Sequence, residues 1–335
     1  PGAEDREEDA PHGHVVTLRS PAVPGMGGYR VITRTGAVRD ALARFRPDVV
    51  EVSDRTTLAG LGVWAREHGA VSAFIAHERV DGVLTGVLPS ALHGAARRAA
   101  RAHARRVAHG FDTLVATTAY AGRELVDAGA RVERVPLGVD LDRFHPRHAS
   151  TLGRRGLAAD DEALLLLASR LSTEKRPDLA IDATRELVRR GPRVRLAVAG
   201  TGPRARELHR RAAGLPVDFL GFVSDRASFA SLLATADAVI APGPIETFGL
   251  AALEGLASGT PAVVNAGSAL PEVVGDAGAA ALGTAAAFAD AIEDVLARDG
   301  RARRREARAR AERFPWSTTV SRMRALHASA LAGAR

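Results

Sequence analysis

Short apolar runs alternate with stretches of helical spacing along nearly the whole chain, and that alternation leaves little room for any fold but a layered α/β one. Val49 to Val52, Val71 to Ala76, Leu114 to Thr117, Leu164 to Ala168, Val194 to Ala199, Val217 to Leu220, Ala238 to Ala241 and Pro261 to Val264 are strand-length and apolar. Such runs suit strands covered on both faces, as in a parallel sheet. Between them, Arg34 to Phe45 places Val38, Leu42 and Phe45 on one helical face, and the helix opened by Pro177 does the same with Leu179, Ala183 and Leu187. Val15 to Leu18 reads as a first strand, preceded by an acidic Gly/Pro loop over Pro1 to Gly13.

At 335 residues the chain is long enough for two domains, each with its own core. The expected division is an N-terminal Rossmann-like domain over 1–140, a linker over 141–160, a second Rossmann-like domain over 161–315, and a C-terminal helix over 316–335 packing back toward the first domain. Asp140-Leu141-Asp142 looks like part of a metal-binding acidic loop, but its polar, Pro-flanked setting without further ligands reads as a turn. No metal or cofactor is expected.

Composition narrows the partners. There is no cysteine, hence no disulfide or thiolate chemistry, and no apolar run is of bilayer-spanning length. The expectation is a cytoplasmic chain, peripheral at most to the inner face of the cell membrane. A net charge of +7 invites a nucleic-acid reading, yet aromatics are only 4% and no nucleic-acid-binding signature occurs, so none is expected as a partner. The positive charge gathers in two runs, Arg97 to Arg106 and Arg301 to Arg313. Each reads either as a solvated helix face or as a surface for an anionic membrane. One Lys stands among 46 basic residues, at position 175.

The chemistry-bearing stretch is Pro242 to Glu254, a strand-loop-helix junction. The first amides of a helix lack intrahelical partners and carry partial positive charge, which favours a phosphate. Gly249 allows close backbone approach, and Glu246 and Glu254 offer carboxylates that accept from sugar hydroxyls. Arg170 and Lys175 bracket another strand-to-helix loop, where two cations suit a diphosphate. Ligands bind beyond the carboxyl ends of strands in such sheets, where His77 also stands. Gly200-Thr201-Gly202-Pro203 reads equally as a structural turn and as a site of close ligand approach.

Taken in order, Arg170 and Lys175, Gly200-Thr201-Gly202-Pro203, Phe219-Leu220-Gly221-Phe222-Val223, Glu246-x7-Glu254 and Gly259-Thr260-Pro261 resemble the donor half of family-four retaining glycosyltransferases. The first half is similar mainly through Ser72 to Leu84 around His77 and through Gly138-Val139-Asp140 to Phe144. The resemblance implies the GT-B fold, two Rossmann-like parallel-sheet domains facing across a cleft, and metal-independent transfer of a hexose from a nucleotide-sugar. It implies mannose from GDP-mannose in particular, passed to a lipid-linked or small glycan or glycoside acceptor. It further implies that Arg170 and Lys175 hold the diphosphate and stabilise its departure, that Glu246 holds the transferred sugar, and that the amides of Phe248, Gly249 and Leu250 assist. Glu254 would take the ribose, Gly202, Phe222 and Val223 would border the base, and His77 would reach the sugar near the reacting carbon. Family members begin with a strand and a Gly-Gly loop that this sequence does not supply before Val15, and Gly27-Gly28 opens no clear helix. That departure leaves as a rival a nucleotide-sugar-binding module without turnover; because fold does not fix reaction, a sugar-nucleotide epimerase or a phosphorylase on the same fold is the enzymatic rival.

Overall fold

The structure, a computed structural model, describes residues 1–11, 13–23, 30–77 and 92–334. It divides into two compact units, one of residues 1–117, 121–135 and 321–335, the other of 118–120 and 136–320. Gly27-Gly28 and the part of the Ser72 to Leu84 stretch after His77 lie outside the described residues.

The first unit opens with two short strands, β1 (Arg6–Ala10) and β2 (Gly13–Thr17), paired antiparallel with Arg6 opposite Thr17. Two expectations are corrected here. Arg-Glu-Glu-Asp-Ala is a strand and not a loop, and β2 pairs with it in a separate hairpin instead of starting the parallel sheet. Neither strand has a buried residue, so the apolar signal that marks a core strand is missing.

Helix α1 (Thr35–Phe45) leads to β3 (Val49–Val52), α2 (Leu61–Glu67), β4 (Val71–Ala76), α3 (His93–Gly110), β5 (Thr113–Ala116), α4 (Ala119–Asp127) and β6 (Glu133–Arg134). The four strands are parallel in the order β3-β4-β5-β6. Helix α3 buries Ala96, Ala100, Ala104 and Val107, a seam at helical spacing whose small side chains let the helix lie close against its neighbours.

In the second unit α5 (Thr151–Leu157) precedes β7 (Ala163–Ala168), α6 (Pro177–Arg190), β8 (Val194–Ala199), α7 (Ala205–Arg211), β9 (Val217–Gly221), α8 (Arg226–Thr235), β10 (Ala238–Ala241), α9 (Leu250–Ala257), β11 (Ala262–Asn265), α10 (Leu270–Val274), β12 (Ala279–Ala281), α11 (Ala285–Ala297) and α12 (Gly300–Ala311). A final helix, α13 (Trp316–Gly333), closes the chain. Helix α5 lies within the stretch read as a linker and is capped by the Ser150 hydroxyl, which accepts from the Gly153 amide at 2.9 Å.

The six strands are all parallel, ordered β12-β11-β10-β7-β8-β9. Alternate residues feed two separate cores: Leu164, Leu166, Val239 and Val264 point to one face, while Leu165, Leu167, Ile240 and Val263 point to the other. That double burial explains why these strands read as unbroken apolar runs. The chain runs outward from β7 through β8 and β9, then returns to lay β10 on the other side of β7. The loops leaving β7 and β10 therefore diverge at their carboxyl ends, the place where an open parallel sheet offers a crevice.

Candidate active site

The two loops at this reversal carry the charged residues. After β7 the chain passes Arg170 and makes a tight turn over Thr173–Lys175 before α6. After β10 it passes Pro242 to Phe248 before α9. The Lys175 ammonium donates to Oε2 of Glu246, joining the two loops, and both side chains are one-quarter exposed. A Lys ammonium carries three donors, so one bond to Glu246 leaves capacity for an anion. Close packing holds the loops together: a Cβ on Gly243 would come within 3.0 Å of the Glu174 carbonyl oxygen.

Arg170 stands beside this pair and is largely exposed. It donates to Oε1 of Glu174 at 3.1 Å, and the same oxygen accepts from the Ser172 hydroxyl at 2.6 Å. Burial opposes ionisation of Glu174, but the Ser172 hydroxyl, its own amide and the cations Arg170 and Lys175 outweigh it and lower its pKa. The loop after β8 backs onto the same turn. Gly202 lies so close to Leu171 that a Cβ would sit 2.5 Å from its carbonyl oxygen, and Leu171 N donates to Thr201 O at 2.9 Å.

Gly249 is fixed twice over. Its φ of +79° lies in the left-handed region, and a Cβ would fall 2.0 Å from a Leu270 methyl. Its carbonyl accepts from Ala252 and Leu253, which starts α9 there and turns the first amides of the helix toward the loop. Asn265, at the end of β11, braces the stretch by donating to the Pro242 carbonyl at 2.9 Å while its own side-chain oxygen accepts from the Gly267 amide at 2.9 Å.

Glu254 lies one face further along α9 and in different surroundings. Its side chain is 12% exposed, accepts from Arg226 at 3.1 Å, and lines a cavity of about 430 Å³ with Leu250, Arg143, Phe144 and Trp316. Burial pushes the Glu254 carboxyl above its ordinary pKa, against the pull of Arg226 and Arg143. Cations and helix amides thus meet at one end of the crevice and a half-satisfied carboxylate stands at another, an arrangement suited to a ligand with both phosphates and hydroxyls.

Two family models match the chain, glycosyl transferases group 1 over residues 151–313 and glycosyltransferase family 4 over residues 1–143. Over 310 residues, 92% of this chain and 80% of the relative, it is 47% identical to a GDP-mannose-dependent alpha-(1-6)-phosphatidylinositol dimannoside mannosyltransferase of Mycobacterium tuberculosis. The chain belongs to the family-four GT-B glycosyltransferases.

This glycosyltransferase is also 39% identical, over 65% of its chain and 53% of the relative, to a D-inositol 3-phosphate glycosyltransferase of Geodermatophilus obscurus. Its fold is that of a sucrose-phosphate synthase from Thermosynechococcus elongatus, with a TM-score of 0.76 at 21% identity, covering 97% of this chain and 85% of the other. Anabaena HepE, solved in complex with UDP and glucose, gives a TM-score of 0.69 at 20% identity over 88% of this chain and 81% of that one.

Within the glycosyltransferase, Lys175 and Glu246 are brought into contact, and Arg170 and Gly202 belong to loops packed on the same turn. Phe248 is buried in the core and Val223 packs half-buried against it, whereas Phe222 is 74% exposed. His77 follows β4 in the first unit, exposed, with Nδ1 3.3 Å from the Ile75 carbonyl oxygen. Sequence reasoning missed Arg226, an arginine in a loop-to-helix segment without a motif. It also missed Asn265, although a lone amide ending an apolar strand was a usable signal. Glu272, in the first turn of α10, was also missed: its two oxygens accept from the Ala119 and Tyr120 amides at 2.8 Å each.

Proposed function

We propose that this enzyme is a retaining mannosyltransferase that draws on GDP-mannose and acts on a lipid-linked acceptor, without a metal. The observation that carries the donor site is the Lys175–Glu246 pair at the strand-order reversal. The choice of GDP-mannose and of a lipid acceptor is supported by the 47% identity to the mycobacterial mannosyltransferase.

In this reading Lys175, Arg170 and the first amides of α9 hold the diphosphate, and Glu246 orients the mannose hydroxyls. The bond between the anomeric carbon and the phosphate oxygen breaks with its electron pair leaving on GDP, and the acceptor hydroxyl forms the new bond on the same face, its proton passing to the departing phosphate oxygen. The negative charge developing on the leaving oxygen is met by preorganised cations, where such groups stabilise most. Glu254 takes the ribose hydroxyls, while Gly202, Phe222 and Val223 border the base. His77 is assigned to the sugar by family resemblance alone.

The membrane component of the reading rests on α3, where Arg98, Arg101, Arg105 and Arg106 lie exposed opposite the alanine seam and the helix carries no carboxylate. Such a face suits the headgroups of an anionic bilayer on the cytoplasmic side. Among the described residues no helix is long and apolar enough to cross a membrane.

Calorimetric titration with GDP-mannose, UDP-glucose, GDP and UDP tests the donor. Selective binding of the guanine nucleotides is expected, weakened by roughly two orders of magnitude in Lys175→Ala, since a charge-assisted contact is worth about 1.5–3 kcal/mol. A folded chain that binds none of the four would sink the proposal. Transfer to phosphatidylinositol mannosides in vesicles, with the product anomer read by NMR, tests acceptor and stereochemistry.

A further inference from the structure

Arg226 is the first residue of α8, directly after the N-cap Asp225, whose carboxylate accepts from the Ser228 amide at 2.7 Å. A cation in a first helical turn opposes the helix dipole, so this guanidinium is poorly placed for the helix that bears it. Its surroundings lie elsewhere. The guanidinium sits 5.2 Å from the Phe144 ring centroid, and Phe144 is 1% exposed and packs edge-on against Phe229. That stacked platform aims Nη2 at Oε1 of Glu254, 3.1 Å away. The second oxygen, Oε2, takes no hydrogen bond among the described residues, although Glu254 is 12% exposed and lines the 430 Å³ cavity. A largely buried carboxylate on the wall of a cavity, with only one oxygen bonded, is prepared for a hydroxyl donor.

We propose that Arg226 is a positioning residue for the donor: it fixes the Glu254 carboxylate through Oε1 so that Oε2 is presented to the ribose hydroxyls. The inference rests on the donor reading above and adds to it the group that orients its carboxylate. The groups facing Glu254 are Arg226 from α8 and, from the turn before α5, Arg143 and Asp140, which lie 3.7 Å apart. Arg143 is therefore partly engaged with Asp140, and Arg226 is the cation bonded to Glu254. Burial already works against ionisation of Glu254. Without Arg226 the carboxylate protonates at a higher pH, and a protonated oxygen accepts poorly.

The test compares wild type with Arg226→Gln and Arg226→Lys, measuring GDP-mannose kcat and KM and the GDP dissociation constant from about pH 5 to about pH 8. At neutral pH, Arg226→Gln is expected to raise the donor KM about tenfold with kcat within about twofold, the split of a residue that binds without touching the reacting atoms. Its acid limb in kcat/KM should move up by about one pH unit. Arg226→Lys restores the limb through its charge and keeps part of the KM defect, because a point charge replaces a stacked planar fork. An Arg226→Gln enzyme with wild-type KM and wild-type acid limb overturns the role of Arg226, as does a change confined to thermal stability. Failure of the wild-type chain to bind GDP or GDP-mannose overturns the donor reading instead.

Discussion

Helices α3 and α12 have nearly the same composition, alanine and arginine, and use it in opposite ways. On α3 the alanines face inward and Arg98, Arg101, Arg105 and Arg106 face solvent without a carboxylate partner among the described residues. On α12 four arginines, Arg303, Arg304, Arg308 and Arg310, face the protein. Arg304 donates to the carbonyls of Ala234 and Ala236 at 2.9 Å each, at the end of α8. Arg308 reaches Ala257 at the end of α9, together with Leu141 and Phe144. Arg310 donates to Val273 at 2.8 Å, near the end of α10, and Arg303 to Leu296 at 2.9 Å, near the end of α11. One helix thus supplies guanidinium caps to the carboxyl ends of four others, where unsatisfied carbonyls and the negative end of the dipole await a cation. The solvated-face reading therefore fails for Arg303, Arg304, Arg308 and Arg310, while Arg301, Arg305 and Arg313 are exposed, as are Arg98, Arg101, Arg105 and Arg106 on α3. A run of arginine reports charge; which groups it meets depends on where other helices end.

Arg308→Ala should expose this difference most sharply. It strands the carbonyls of Leu141, Phe144 and Ala257 in a partly buried site, and we expect a loss of about 3 kcal/mol, measured as a shift in the urea unfolding midpoint. Arg304→Lys keeps the charge but cannot fork between two carbonyls, so a smaller loss of about 1–2 kcal/mol is expected. Burial already lowers the Arg304 pKa, with Asp237 the acid that opposes this, so the cation is held by its surroundings at some cost. A lysine variant as stable as wild type would show that charge alone, without the fork, does the capping.

The same distinction explains what was legible beforehand. Five of the six strands of the second unit, β7 to β11, were read nearly to the residue, because burial on both faces makes them uninterrupted apolar runs. β1 was lost because Arg-Glu-Glu-Asp-Ala carries no such signal, and β12 because Ala279–Ala281 has neither β-branched nor aromatic side chains. That Arg170, Lys175 and Glu246 lie on loops after strand ends was legible, because the apolar runs before them mark where those strands stop. Arg226 was not, since its contacts are with Phe144, from the loop before α5, and Glu254, on α9, residues remote in sequence that only tertiary packing brings to it.

The smallest expected effect on stability comes from replacing Arg98, Arg101, Arg105 and Arg106 on α3 together by Gln. These side chains are exposed and bond no carboxylate among the described residues, so the unfolding midpoint should move by less than about 0.5 kcal/mol per site, and upward if mutual repulsion on the helix is relieved. Binding to anionic vesicles should behave otherwise. At about 1 kcal/mol per arginine near a charged surface, the quadruple variant should lose most of its co-sedimentation at low salt, and the wild type should lose its own as salt is raised. A quadruple variant destabilised as strongly as Arg308→Ala would mean that α3, too, is a capping helix and that the contrast is false. Unchanged stability with unchanged vesicle binding would keep the contrast and remove the membrane from it, leaving the exposed arginines as a solvated face.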